Sequence, residues 1–314
     1  MNLHKHKKLF SDTIRATADH LKINEEFVEK DYWITLLLNR LSCSKYSKES
    51  VFKGGTSLLK GFGLINRFSE DVDIAIISTN CKSSNELKNL IRTVEKEITA
   101  ELNEIELDGM TSKGSRFRKT VHLYESINPK NKNNKVIVEI NSFANTLPHQ
   151  MRIIRSLVYD FLEETENTDI IEIYDLEPFQ VNVLDKGQTL MEKLVSLIRF
   201  SFDEHPVESI KAKIRHFYDL HFLMLDNECI SFVKSEKFKN EFYRLLEHDK
   251  GIFDEPDGWQ YKTIKDSPLV NDFENIWNQI KTIYLAELSA LSYSNIPTEN
   301  EVSKSYRELI KLIQ

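Results

Sequence analysis

The sequence predicts an α+β protein: a core built on a mixed sheet, with a helical domain behind it. Three observations carry this. Short β-branched runs gather in the first two thirds of the chain, at VDIAII (72–77), RFRKTVHLYES (116–126) and KVIVEINSF (135–143). Segments with apolar residues at helical spacing precede and interleave them. From about residue 186 onward the pattern is helical almost throughout. The expected organisation is an N-terminal helical segment packing on the core (1–50), the core (51–185) and the helical domain (186–314).

The elements follow in order. FSDTIRATADHLKI (10–23) reads as a helix, and Asn24 caps a second one, EEFVEKDYWITLLLNRLS. VFKGG begins with a short strand, and VDIAII is a second. SSNELKNLIRTVEKEITAELNEI (83–105) is a long amphipathic helix with a serine start. RFRKTVHLYES and KVIVEINSF form two strands joined by SINPKNKNN, whose Pro, Asn and Lys content suits an exposed hairpin loop. IIEIYDL (170–176) and FQVNVLD (179–185) are two further strand candidates. The helical domain is interrupted by a polar stretch, KGIFDEPDGWQYKTIKDSP (250–268).

Composition narrows the function. The chain is 40% hydrophobic and 29% charged, ordinary for a soluble globular protein. No apolar run approaches the roughly 20 residues that span a bilayer. The basic N-terminus lacks the apolar stretch of a signal peptide. Three scattered cysteines and no HExxH motif argue for reduced thiols in a cytoplasmic protein and against a histidine or cysteine metal site. A net charge of −7 argues against a general nucleic-acid coat. Local basic patches remain at SKGSRFRK (112–119), PKNKNNK (129–135) and KAKIR (211–215).

One stretch concentrates the chemistry. Residues 51–76 contain four of the nine glycines and end on Asp-x-Asp. Backbone N–H groups at a helix start hold phosphate well, and glycine permits close approach. Gly54-Gly55-Thr56-Ser57 lies between a short strand and LLKGFGLI, as such a grip requires; a tight strand–helix turn would look the same. GxxxxGK[ST] is absent, so this is not a P-loop. Asp71 and Asp73, two apart in a strand, point to one face. Carboxylates so close are costly without a cation between them, and Mg²⁺ is commonly held by one or two carboxylates plus substrate phosphates. Glu139, flanked by apolar residues on an expected central strand, is a candidate third metal ligand on the strand pattern alone; a packed glutamate on an edge strand fits the same pattern.

FKGGTSLLK followed by RFSEDVDI resembles the nucleotidyltransferase family of AbiEii/AbiGii-type toxins, within the DNA polymerase β-like superfamily. VEKDYWITLLL (28–38) is similar to the family's lead-in helix. EKLVSLIRF (192–200) and IRHFYDLHFL (214–223) are similar to its lysine- and aspartate-bearing helical motifs. The resemblance covers about residues 25–225. It implies a polymerase-β-like nucleotidyltransferase core. It implies that Gly55 and Ser57 belong to the phosphate-binding turn, that Asp71 and Asp73 bind metal, that Lys193 contacts nucleotide phosphates and that Asp219 is the essential helical acid. The family often has an acid where this chain has His216, which leaves the choice between these two positions open. From the residues alone, Asp219 needs a cationic partner, with Arg215 or Lys193 in reach.

The expected activity is Mg²⁺- or Mn²⁺-dependent nucleotidyl transfer from an NTP to an RNA 3′ end, tRNA among the candidates. The resemblance implies a toxin of a toxin–antitoxin or phage-defence system, with a separately encoded antitoxin and no membrane partner. Two alternatives stand beside it: an AMP-transferring or kinase-like modifier of a protein hydroxyl, and an NTP-binding regulator without turnover.

Overall fold

The structure, a computed structural model, describes residues 1–69 and 71–314. The chain divides into two compact units. One comprises Met1–Phe62 and Phe68–Leu184; the other comprises Gly63–Arg67 and Asp185–Gln314.

The first unit is built on one mixed sheet. Its strands are β1 (Ser50–Lys53), β2 (Asp71–Ile76), β3 (Asn103–Ile105), β4 (Ser112–Lys113), β5 (Phe117–Leu123), β6 (Lys135–Asn141), β7 (His149–Ile154) and β8 (Phe179–Leu184). They lie in the order β3-β5-β6-β2-β1-β8-β7, with β4 paired to β5. β2 runs parallel to β6 and β1 parallel to β8; the other pairings are antiparallel. Among the described residues, six α-helices accompany the sheet: α1 (Lys7–Leu21), α2 (Glu25–Cys43), α3 (Gly54–Lys60), α4 (Ser84–Ile98), α5 (Leu157–Glu164) and α6 (Thr168–Ile173).

Strand parity sets the two faces of this sheet. Phe52, Val72, Ile74, Ile76, Val136, Val138 and Ile140 join Leu36, Leu37 and Ile91 of α2 and α4 in the buried core. Each buried aliphatic side chain contributes about 1.5–3 kcal/mol. The alternate residues, Lys53, Asp71, Asp73, Glu139 and Lys119, therefore belong to the opposite face. Asn24 caps α2 as expected, its side chain accepting from the Glu26 N–H. The chain between β5 and β6 carries the expected loop.

Two local expectations are corrected, and one strand is added. IIEIYDL is not a strand: Thr168–Ile173 forms α6, which packs on α5. It buries Ile171 and leaves Ile173 exposed, because β-branched residues without alternation do not define a strand face. The helix expected over 83–105 stops at Ile98. Glu101 turns to positive φ, and Asn103–Ile105 joins the sheet edge as β3. β7 has no counterpart in the sequence reading; it pairs with β8 through six registered residues.

The second unit is helical, as expected: α7 (Lys186–Phe200), α8 (Pro206–Lys211), α9 (Arg215–Leu223), α10 (Asn227–Val233), α11 (Glu236–Lys250), α12 (Pro268–Asn271), α13 (Phe273–Leu291) and α14 (Glu299–Ile313). Phe217, Phe273, Trp277 and Tyr306 form its aromatic centre. The polar stretch after α11 is anchored by fully buried Trp259, whose indole N–H donates to the Phe253 carbonyl. No helix among the described residues is long and apolar enough to cross a membrane.

Candidate active site

Two acids and two lysines of the first unit stand in one row across four strands. β2 and β6 pair Asp73 with Glu139; β5 and β6 pair Lys119 with Glu139; β1 and β2 pair Lys53 with Asp73. Registered neighbours share a face about 5 Å apart. The row therefore reads Lys119, Glu139, Asp73, Lys53, with charges plus, minus, minus, plus. Asp71, opposite Ile137, sits one pleat away on the same face. β6 lies between β2 and β5, so Glu139 is on a central strand.

Lys119 had no role in the sequence reading, although strand parity places it beside Glu139 once the β5–β6 register is known. Its ammonium lies 2.5 Å from Glu139 Oε1. Burial disfavours the ammonium, but the hydrogen bond to Glu139 and the charges of Glu139, Asp71 and Asp73 outweigh it. They hold the Lys119 pKa above its usual value. Among the described residues, no three acidic, histidine or cysteine side chains are arranged to hold a metal ion as they stand. Hard carboxylate oxygens on adjacent strands, drawing lysine ammonium toward them, are still the donor chemistry that suits Mg²⁺ completed by phosphates.

The glycine turn adjoins this row. Gly54 has φ +80°, where a side chain is strained, and a Cβ there would collide with the Asp73 carboxylate. Only glycine lets Asp73 lie against the start of α3. Gly55, Thr56 and Ser57 are buried. The Thr56 hydroxyl donates to the Asp71 carbonyl at 2.6 Å, and the Ser57 hydroxyl donates to the Gly54 carbonyl at 2.8 Å. The Thr56 hydroxyl thus fixes the turn to the acid strand, and the Ser57 hydroxyl closes the turn on itself.

A second buried contact braces this arrangement. Lys60, at the end of α3, donates to Asp31 of α2 at 2.6 Å and to the Arg155 carbonyl at 2.6 Å. Asp31 also accepts from the Leu157 N–H. Lys60 closes FKGGTSLLK and Asp31 sits in VEKDYWITLLL, so two motifs far apart in sequence meet in one ion pair.

In the second unit, Lys193 of α7 and Asp219 of α9 come together. Lys193 Nζ lies 2.8 Å from Asp219 Oδ2, and Asp219 is 0% exposed. Arg67 completes the cluster, Nε donating to Oδ1 at 2.7 Å and Nη2 to Oδ2 at 2.6 Å. Burial alone would push the Asp219 carboxyl up, but Arg67 and Lys193 overcome it and hold its pKa well below the ordinary value. Of the two partners the sequence offered, Lys193 is the one used; Arg215 pairs with Glu287 instead. Arg67 opens RFSEDVDI, but nothing in the sequence around it marks it as the partner of Asp219. The segment carrying it is held by Tyr218, whose hydroxyl accepts from the Asn66 N–H, and by Ser292 and Tyr293, which donate to the Asn66 carbonyl.

His216 lies one turn before Asp219 and is half-buried. Burial, then the ammonium groups of Lys193 and Lys213, keep its pKa well below the usual histidine value, against a smaller opposing pull from Asp219. The basic patch at 112–119 is largely neutralised: Lys113 pairs with Glu104 and Glu106, Arg118 with Glu95, and Lys119 with Glu139. Lys130 and Lys132 in the β5–β6 loop remain exposed.

The family described as "Nucleotidyl transferase AbiEii toxin, Type IV TA system" matches residues 36–296. Among solved structures, the chain is similar to MenT4, a nucleotidyltransferase toxin from Mycobacterium tuberculosis H37Rv. The TM-score is 0.54 at 16% identity, over 94% of this chain and 89% of that one, a likeness of fold. A comparison with curated protein sequences found no match.

Proposed function

Since this chain belongs to the AbiEii nucleotidyltransferase toxin family of type IV toxin–antitoxin systems, we propose that it transfers a nucleotidyl group from an NTP to an RNA 3′ end with Mg²⁺, or Mn²⁺, as cofactor. The observation that carries the reading is the acid row: Asp73 in register with Glu139, Asp71 on the same face, and Gly54 leaving room for Asp73 against the turn. Asp71 and Asp73 would hold the divalent ion, with Glu139 as an additional ligand once Lys119 lets go. When bound, such an ion neutralises phosphate charge and lowers the pKa of a coordinated hydroxyl.

The chain's own residues supply the rest. The backbone of Gly54, Gly55, Thr56 and Ser57 shapes the turn that receives the triphosphate. Lys193 contacts the nucleotide phosphates, as a compact ammonium does well. Asp219 holds Lys193 in place and accepts from Arg67 as well. Lys130 and Lys132 favour an RNA acceptor, tRNA included, through phosphate contacts. A separately encoded antitoxin restrains the activity, and phage defence is the role we assign to the pair.

The test is incubation with each α-labelled NTP and total cellular RNA, followed by sequencing of RNA ends. Labelled RNA 3′ ends are expected from the wild type and none from a folded Asp71→Ala or Asp73→Ala variant. Label on protein would move the acceptor to a protein hydroxyl. NTP binding without pyrophosphate release would make the chain a regulator. A folded Asp73→Ala variant with full activity would end the carboxylate mechanism.

A further inference from the structure

We infer that Lys119 is a built-in counter-ion of the acid row, which competes with a divalent cation for Glu139 and so sets how tightly the acids take up metal. The inference rests on the proposed role of Asp71 and Asp73 as metal ligands, but concerns a residue that this role does not involve. Three carboxylates occupy one face of two adjacent strands. Crowded like charges oppose ionisation unless a cation sits among them. β5 supplies one: Lys119 is in register with Glu139, and their charged atoms are 2.5 Å apart.

The pair is not sealed in the core. The side chains of Lys119 and Glu139 keep 28% and 25% exposure, so the lysine can withdraw into solvent without stranding a buried charge. That separates it from the Lys60–Asp31 pair, where both side chains are almost fully buried and hold helices together. A four-carbon stem lets the ammonium leave Glu139 while its backbone stays in the sheet.

Two consequences follow. A divalent ion arriving alone must displace an ammonium already in the row, which weakens its binding. An ion arriving with a triphosphate meets less opposition, because the displaced ammonium gains phosphate oxygens as new partners. Lys119 thus makes uptake of metal and nucleotide mutually reinforcing, and it discourages the acids from holding metal without substrate.

The experiment is Mn²⁺ binding to the full chain, followed by electron paramagnetic resonance and calorimetry, with and without a non-hydrolysable NTP analogue. Lys119→Met should bind Mn²⁺ alone about tenfold more tightly than wild type, and the analogue should strengthen its Mn²⁺ binding less. Lys119→Gln keeps a hydrogen bond to Glu139 without the charge. It should behave like Lys119→Met and serves if the methionine variant does not fold. Lys119→Arg should resemble wild type. Mn²⁺ binding by the neutral variants that is equal to or weaker than wild type would overturn the inference, while leaving the carboxylate mechanism intact. Failure of every protein, wild type included, to bind Mn²⁺ even with the analogue would overturn both.

Discussion

Replacing Asp219 by alanine should cost the second unit much of its stability before any effect on chemistry is considered. The carboxylate is fully buried and accepts from three charged donors, at 2.7 and 2.6 Å from Arg67 and 2.8 Å from Lys193. Each such bond is worth about 1.5–3 kcal/mol, but they share one acceptor and do not add. What remains after truncation decides the outcome: a guanidinium at 3% exposure and an ammonium at 7%, like-charged, close together and without their common partner. Removing one member of a buried ion pair costs about 3–5 kcal/mol. For a unit of this size that corresponds to a fall in Tm of roughly 10–15 °C. Scanning calorimetry of the full chain, which resolves two transitions if the units melt apart, is the assay. A decrease below about 3 °C would refute the account of Asp219 as the hub of this cluster. The acid limb offers a second check. The folded carboxyl has a pKa below its unfolded value, so its contribution is complete above the ordinary carboxylate value of 3.8 and is lost as pH falls further toward the folded value. Asp219→Ala should show a shallower loss over that range. An inactive Asp219 variant therefore says little about catalysis until its folding is measured. Lys193→Ala is the cleaner probe, because Asp219 keeps its bidentate partner Arg67; NTP binding should weaken about ten- to a hundredfold in a protein that still folds.

Three further outcomes are expected. Gly54→Ala should cost about 1–2 kcal/mol for its positive φ, and, by pushing the Asp73 carboxylate aside, should lose transfer out of proportion to its small change in Tm. Lys60→Met leaves Asp31 buried without its ammonium and should destabilise the first unit by about 3–5 kcal/mol in urea unfolding; near-wild-type stability would remove the pair from the scaffold. His216 is held neutral by burial and neighbouring cations. The unfolded chain therefore takes up a proton that the folded one refuses, and stability should fall as pH drops below about 6.5. His216→Asn should flatten that part of the pH profile, and an unchanged slope would count against the proposed environment.

What the sequence made legible followed from short-range pattern. VDIAII and KVIVEINSF alternate or run apolar in ways that few structures other than strands satisfy, and Asp71 and Asp73 share a face by parity alone. Pairing is a long-range matter. That Glu139 stands opposite Asp73, rather than two strands away, depends on how β6 inserts between β5 and β2. Lys119 was hidden for the same reason: within SKGSRFRK it looks like one of several surface cations, and only the register makes it a partner of Glu139. β7 was missed because HQMRII mixes exposed Met151 and Ile153 with polar residues, and its partner lies beyond two helices. Arg67 and Asp219 are 152 positions apart, a distance over which no periodicity operates. Lys60 and Asp31 could have been suspected, since each is a charge embedded in an apolar helical motif and needs a partner.

The five residues Gly63–Arg67 belong to a unit whose remaining residues start at Asp185. The chain therefore passes from one unit to the other three times, and no single cut yields both as continuous pieces. On the ribosome, the acids Asp71 and Asp73 are made long before Asp219, the carboxylate against which Arg67 is built. A nascent or truncated chain ending near Leu184 would carry the acid row without Lys193 and without the anchor for its own loop. For a protein that is toxic when active, completion of synthesis thus doubles as a condition for assembly. Halves divided at Leu184–Asp185 should reunite only if the first half brings an intact Gly63–Arg67 loop, which makes that loop the natural handle for a toxin switched on by complementation.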